Sequence, residues 1–182
     1  MEYSLSLDLG TTSLKGVLFD RKGNNIAISI QEYNLIKSGP DLIEIDCRVY
    51  WDSAVIAIKN ILQTSKINPS DIISIGITSQ GETLTVLDKD GNPLRRSIVW
   101  LDNRTMQEVN EISQAFNLDD VYRITGQQEI VPTWTATRIQ WIRKHEPLLF
   151  SQVYKFLLVE DYLIYRLTDK FVTDRGLNPS TL

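Results

Sequence analysis

The sequence has little of several residues that commonly mark a function. Its single cysteine, Cys47, excludes an internal disulfide and is typical of a reducing compartment. Its single histidine, His145, excludes a histidine-based triad and a multi-histidine metal site within one chain. No apolar run approaches the ~18 residues that span a bilayer, and Met1-Glu2-Tyr3 is not the basic start of a targeting signal. We therefore expect a cytoplasmic protein without a membrane partner.

An excess of positive charge is also missing. The 182 residues include 19 Lys and Arg against 23 Asp and Glu, for a net charge of −4. Because no basic field attracts phosphates nonspecifically, no nucleic-acid partner is expected. What remains is an ordinary globular composition, 42% hydrophobic and 23% charged, with enough length for one full core.

The order of apolar patterns predicts a mixed α/β sheet. Alternating residues over Tyr3–Leu9, an apolar stretch at Gly16–Phe19 and alternation over Ile26–Ile30 predict a three-strand antiparallel meander. A helix capped by Asp46 follows, and the apolar run Ile72–Thr78 is then typical of a buried central strand reached by a crossover. The remaining predicted elements are strands at Thr83–Leu87, Ser97–Leu101 and Lys155–Val159, and helices at Met106–Phe116, Thr137–Lys144 and Glu160–Leu167. No linker rich in Gly, Ser or Pro divides the chain, so we expect one domain.

The loop between the first two strands, DLGTTS followed by Lys15, is the most informative segment. Gly10 permits close approach of the backbone to a phosphate chain, which a side chain would block. Thr11, Thr12 and Ser13 offer hydroxyls beside backbone N–H groups, and Lys15 adds a positive charge. The pattern therefore favours phosphate binding.

Asp8, at the start of the same segment, would repel a bare polyphosphate. Its presence indicates an intervening Mg²⁺, which prefers carboxylate, water and phosphate oxygens. The alternative is an ordinary tight turn with a capping aspartate. The segment resembles the first phosphate loop of the actin-like ATPase superfamily, which implies ATP handling with Asp8 and Lys15 in catalytic positions.

A second polar loop, TSQGET at 78–83, lies beyond the carboxyl end of the predicted buried strand, where ligands of open α/β sheets bind. Gln80 can donate and accept, and Glu82 can accept from two directions, which suits the vicinal hydroxyls of a polyol. Gly81 leaves space for a ligand or for the backbone to turn. The alternative is a polar loop that serves solubility.

The stretch TSQGETLTVLDKDGNPLRRSIVWLDNRT resembles the FGGY-family carbohydrate kinases, particularly those of the glycerol kinase and xylulokinase type. The resemblance implies a ribonuclease H-like fold and transfer of the γ-phosphoryl group of Mg·ATP to a hydroxyl of a ketose or polyol. It also implies that Gln80, Glu82 and Trp100 line the acceptor pocket. Asp102, in the D-x-R that follows, is matched more as support for that pocket than as chemistry.

Two further positions bear on the substrate. Gly81 stands where glycerol kinases usually have arginine, which points to a roomier pocket than glycerol needs. Trp134, in the polar run PTWTAT, is either a second aromatic wall for a sugar or a packing residue.

The resemblance covers essentially the whole chain, 1–182, as part of the family's N-terminal domain. The family's general-base aspartate and its second nucleotide-binding domain lie C-terminal to this stretch. The resemblance therefore implies negligible kinase activity for these residues alone. It is compatible with a homodimer. The alternatives are a non-catalytic module that binds sugar weakly or only dimerises, and a chaperone-type ATPase fragment that shares only the first loop.

Overall fold

Residues 1–181 are described by a computed structural model, and they contain nine strands and six α-helices. The strands are β1 (Tyr3–Leu9), β2 (Ser13–Asp20), β3 (Asn25–Glu32), β4 (Ile36–Lys37), β5 (Ile43–Ile45), β6 (Ile72–Ser79), β7 (Leu84–Leu87), β8 (Ser97–Ile98) and β9 (Lys155–Leu158). The helices are α1 (Arg48–Ser65), α2 (Met106–Ala115), α3 (Leu118–Thr125), α4 (Thr135–His145), α5 (Pro147–Phe150) and α6 (Val159–Thr168). None of the helices in this part of the chain is long and apolar enough to cross a membrane.

The first sheet has the strand order β3-β2-β1-β6. Strands β1, β2 and β3 are antiparallel neighbours, which confirms the predicted meander. Strand β6 pairs with β1 in parallel, and α1 provides the crossover between them. The helix packs closely on one face, since a Cβ added to Gly16 of β2 would lie 2.9 Å from Cδ1 of Ile61.

The N-cap of helix α1 lies one residue after the predicted cap. Cys47 is its N-cap, whereas Asp46 accepts a hydrogen bond from the backbone N–H of Arg48 at 3.0 Å. The fully buried face of the helix is built mainly from small residues and one tyrosine. Its members are Tyr50, Ser53, Ala54, Ala57 and Ile61, while the larger side chains of Trp51, Val55, Ile58 and Leu62 are only partly buried.

The prediction of a buried central strand at Ile72–Thr78 is wrong. Strand β6 exists, but it is an edge strand, and Ile73 and Ile75 are 60% and 45% exposed. An apolar run predicts a strand from local composition, whereas its burial depends on whether another element lies beyond it. Within residues 1–181, no further strand pairs with the outer edge of β6.

The second sheet has the order β4-β5-β8-β7-β9, with antiparallel neighbours throughout. Its β7 is buried at all four positions. One apolar core joins the two sheets, because Leu7 of β1, Ile45 of β5, Leu87 of β7 and Tyr162 of α6 belong to the same buried cluster.

Several predicted elements differ from the structure in length. The strand predicted at Ser97–Leu101 ends at Ile98, because the backbone then turns and the N–H of Asp102 donates to the carbonyl of Val99 at 2.9 Å. Trp100 therefore lies in a turn. Helices α2, α4 and α6 confirm the prediction to within about two residues, the usual uncertainty of a helix end. Helices α3 and α5 were not predicted.

Candidate active site

The two loops singled out in the sequence meet at one edge of the first sheet. Strands β1 and β6 are parallel neighbours, and Leu9 lies opposite Ser79 at their carboxyl ends. The backbone N–H of Gln80 donates to the carbonyl of Leu9 at 2.7 Å. The phosphate-type loop after β1 and the polar loop after β6 therefore start side by side, where ligands of α/β sheets bind.

The first loop is a tight strand–turn–strand connection. Gly10 donates its N–H to the carbonyl of Ser13 at 2.9 Å, and an added Cβ on Gly10 would lie 3.1 Å from that oxygen. Tyr33 holds the loop twice: its hydroxyl donates to the carbonyl of Gly10 at 2.6 Å, and its N–H donates to the carbonyl of Thr12 at 2.9 Å. The loop is therefore fixed before any ligand arrives.

Charge of both signs stands beside this loop. Asp8 and Lys15 lie opposite each other across β1 and β2, and both are exposed. Burial raises the pKa of Tyr33, and the negative charge of Asp8 raises it further, so the tyrosine remains protonated and able to donate. No group of three or more metal-ligating side chains occurs in the described part of the chain.

In the second loop, the side chain of Gln80 is hydrogen-bonded to a tyrosine of helix α1. Its Nε2 donates to the hydroxyl of Tyr50 at 2.8 Å, while its Oε1 is buried without a hydrogen-bond partner in residues 1–181. Tyr50 packs edge-on against Tyr33, with ring centroids 5.4 Å apart. A row of contacts from Gly10 through both tyrosines to Gln80 thus ties the two loops together beneath the site.

Glu82 has an unusual backbone conformation. Its φ is +65°, in the left-handed region that a residue with a side chain rarely adopts. The hydroxyl of Thr135 lies 3.4 Å from its carboxylate. The neighbouring Gly81 faces open space, because a Cβ added there would meet nothing within 4 Å. The second loop therefore combines a constrained carboxylate with free volume beside it.

Trp100 reaches across from the turn after β8 to the first loop. Its indole Nε1–H donates to the hydroxyl of Thr11 at 2.9 Å, and its backbone N–H donates to the hydroxyl of Thr83 at 3.2 Å. The side chain is 37% exposed. A partly exposed aromatic ring is thus bonded to the first loop through its indole and to Thr83 through its backbone.

Asp102, unlike Trp100, is not exposed at the site. Its carboxylate is fully buried, accepts from the backbone N–H of Ile43 at 2.6 Å and forms an ion pair with Arg104. Arg104 in turn contacts Glu44 at 2.9 Å. Both carboxylate oxygens are thus engaged within the protein, and the supporting role of Asp102 stays a prediction.

Trp134 does not provide a second aromatic wall. It is only 3% exposed and packs with Val121 and Ile130 in a small apolar cluster. The packing alternative therefore describes it, because the chain before α4 folds this ring inward.

Arg138 is the residue that sequence reasoning missed. It is 0% exposed, and its guanidinium donates to the backbone carbonyls of Glu82, Val99 and Trp100. Burial lowers its pKa to about 10, which still leaves it charged at neutral pH. Arginine is almost never fully buried without a carboxylate partner, so no sequence signal distinguished it from a surface residue.

Comparison with known proteins shows the family to which the chain belongs. Residues 3–181 match the FGGY family of carbohydrate kinases, N-terminal domain. The chain is 38% identical over 178 residues to a glycerol kinase from Thermococcus gammatolerans, which covers 94% of the chain and 35% of that protein. It is 30% identical over 174 residues to a xylulose kinase from Staphylococcus xylosus, over 96% of the chain and 35% of that protein.

Solved structures resemble the fold over nearly its whole length. A xylulose kinase from Rhodospirillum rubrum superposes with a TM-score of 0.92 at 26% identity, over 99% of this chain and 37% of that one. A gluconate kinase from Lactobacillus acidophilus superposes with a TM-score of 0.89 at 31% identity, over 99% and 36%. The chain thus spans little more than a third of the length of these relatives.

Proposed function

The chain belongs to the FGGY family of carbohydrate kinases, with the family's ribonuclease H-like α/β fold, and we propose that it supplies the acceptor pocket and the first phosphate loop of such a kinase. The donor is Mg·ATP and the acceptor is a ketose or polyol. The observation that supports this most directly is the contact between the turn after β8 and the first loop, where the indole of Trp100 donates to the hydroxyl of Thr11 at 2.9 Å. A sugar beside Trp100 would lie next to the phosphate loop.

The acceptor is proposed to bind between Trp100, Gln80 and Glu82. The exposed ring of Trp100 offers an apolar surface to the C–H face of a sugar, and the Glu82 carboxylate accepts hydrogen bonds from its hydroxyls. The free volume at Gly81 favours an acceptor larger than glycerol. The relatives are named for glycerol, xylulose and gluconate, which are all polyhydroxylated.

The phosphate end of the donor is proposed to lie against Gly10, Thr11, Thr12 and Ser13, with Lys15 nearby. Phosphoryl transfer relies on positioning and charge stabilisation, and a preformed loop that carries N–H and hydroxyl donors contributes both. Asp8 fits a magnesium site of the usual kind, in which one or two carboxylates are joined by waters and substrate phosphates. The ion would neutralise charge on the phosphates when bound.

Complete phosphoryl transfer is proposed for a polypeptide of the relatives' full length. The chain covers about 35% of the curated relatives, and we place residues 1–182 within the N-terminal domain. For these residues alone we expect acceptor binding with negligible turnover of ATP. Robust sugar-dependent ATP consumption by the purified chain would contradict this division.

Calorimetric titration of the chain with glycerol, xylulose and gluconate tests the pocket. We expect millimolar or tighter binding of at least one, weakened roughly tenfold or more by Glu82→Gln because hydrogen bonds to a charged group contribute about 1.5–3 kcal/mol. Asp90→Asn, which removes the same charge from an exposed turn, is the matched control. No heat from any of the sugars at millimolar concentration would favour the second candidate.

That second candidate is a non-catalytic module that only self-associates. The observation that favours it is the exposed edge of β6, with its isoleucines in solvent. An unpaired apolar strand edge is a template for pairing with another strand. The two candidates differ in their response to sugar, since self-association through β6 requires none.

A further inference from the structure

Arg138 connects three separate segments of the molecule. It lies in the first turn of α4, and its guanidinium donates to the carbonyl of Glu82 in the loop after β6. It also donates to the carbonyls of Val99 and Trp100, at 3.1 and 3.0 Å, in the turn after β8. Glu82 and Trp100 are two of the proposed acceptor ligands, so one side chain holds the backbone of both.

The choice of partners at Arg138 is physically unusual. Its guanidinium donates to backbone carbonyls, those of Glu82, Val99, Trp100 and Asp102, and within residues 1–181 its buried Nε has no hydrogen-bond partner. Burying a charge without a directly bonded counter-charge is costly, as its lowered pKa reflects. The planar guanidinium group of arginine carries several N–H donors and can therefore bond carbonyls from different segments at once. The single ammonium group of lysine cannot reproduce this arrangement.

Glu82 needs such a restraint. A non-glycine residue in the left-handed region is strained and persists only when its surroundings hold it there. The hydrogen bond from Arg138 reaches the carbonyl of this residue, while its carboxylate lies near Thr135. Arg138 therefore stabilises the loop conformation that places the Glu82 side chain.

Trp100 is held at both ends. Arg138 bonds its carbonyl, and Thr11 accepts from its indole. A change at Arg138 would thus move Trp100 relative to the phosphate loop as well as relative to Glu82.

We infer that Arg138 is a positioning residue that sets the spacing between Glu82 and Trp100 and thereby selects acceptors by the distance between their hydroxyls and their apolar face. This inference rests on the proposed acceptor pocket for its functional part. Its structural part, the placement of Trp100 by Arg138, can be measured without any ligand.

The variant Arg138→Lys keeps the charge and removes the fork, and Arg143→Lys is the control, because Arg143 lies exposed on the same helix. Chain labelled with ¹⁵N at the tryptophan indoles reports each ring by NMR. We expect Arg138→Lys to shift the Trp100 indole signal and to speed its hydrogen exchange about tenfold or more. The signal of Trp51, which stacks on Arg166 at 4.5 Å, should not change. Arg143→Lys should change neither.

Titration of the same variants with glycerol, xylulose and gluconate completes the test. We expect Arg138→Lys to weaken the binding of the tightest-binding sugar about tenfold. The differences in affinity among the three sugars should also become smaller. Unchanged Trp100 exchange in a folded Arg138→Lys chain would overturn the inference. A parent chain that binds no sugar, together with a Trp100 signal that responds, would instead reject the proposed pocket and keep the positioning role.

A variant that does not fold is also informative. In that case Glu82→Gly added to Arg138→Lys should restore folding, because glycine adopts the left-handed conformation without the cost that Arg138 offsets. Failure of glycine to restore any folding would contradict the role assigned to Arg138.

Discussion

The indole nitrogen of Trp100 donates a hydrogen bond to the hydroxyl of Thr11, and the two residues are 89 positions apart in the chain. This bond joins the loop proposed for phosphate to the turn proposed for the acceptor. Gln80 and Tyr50 form a second connection beneath them. The two halves of the proposed site are therefore joined by direct hydrogen bonds.

A double-mutant cycle measures the first connection. Thr11→Val and Trp100→Phe each remove one partner of the bond, and we expect a coupling free energy of about 1 kcal/mol in urea unfolding. Thr12→Val, at the exposed neighbouring threonine, should show no coupling with Trp100→Phe. Additivity within about 0.5 kcal/mol for the Thr11 pair would show that the bond does not persist in solution.

Tyrosine hydroxyls beneath the loops should affect binding differently. Tyr50→Phe removes the hydrogen-bond partner of Gln80, so we expect about 1 kcal/mol lower stability and weaker sugar binding. Tyr33→Phe removes the bond to the carbonyl of Gly10, with a similar stability loss but little change in sugar affinity. Thermal unfolding and calorimetry measure both, with the exposed Tyr122→Phe as control. Equal sugar affinity in Tyr50→Phe and the parent would argue against the role given to Gln80.

Two turns share the pattern D-x-x-G-N, and replacing the glycine by alanine should destabilise the protein more in one turn than in the other. Gly23 and Gly91 have φ of +80° and +79°, but a Cβ on Gly23 meets nothing within 4 Å, whereas one on Gly91 overlaps the hydroxyl of Tyr165. We expect Gly23→Ala to lower the free energy of unfolding by about 1 kcal/mol and Gly91→Ala by roughly 2–4 kcal/mol. Urea titration compares them, and Tyr165→Phe should recover part of the Gly91 loss. Equal losses at both turns would contradict the predicted clash.

The thiol of Cys47 should be unreactive in the native chain. Burial raises its pKa from 9.0 to about 11, so about one molecule in a thousand carries the thiolate at pH 8. Labelling by a thiol reagent should be at least about a hundredfold faster in urea than in buffer. Because the pKa is raised on folding, the stabilising contribution is complete below pH 9.0 and is lost as the pH rises towards about 11. Cys47→Ala should therefore flatten the decline in stability over that window, and an unchanged slope would refute the assignment.

The exposed edge of β6 should promote self-association. We expect Ile73→Lys to lower the sedimentation coefficient of concentrated chain, because a charged side chain blunts an unpaired edge. Ile56→Lys, at a comparably exposed position on α1, should leave association unchanged. Identical sedimentation of the parent and both variants would remove the support for an interface at β6.

The fold could be predicted where the signal is local. The alternation in β1 to β3 and the glycines of their turns predict the meander, since a hairpin depends on residues close in sequence. The burial of β6 could not be predicted in this way. Its apolar run is compatible with a central or an edge strand, and only its pairing distinguishes them.

The chemistry of the two loops follows from the sequence alone, because glycine, hydroxyl, carboxylate and amide groups keep their properties wherever the chain places them. Their meeting at one edge was decided by the parallel pairing of β1 with β6. The inward turn of Trp134, the engaged carboxylate of Asp102 and the buried fork of Arg138 depend on packing between distant segments. Arg138 and Glu82 are 56 positions apart, and a contact of that range forms only when the tertiary structure brings its partners together.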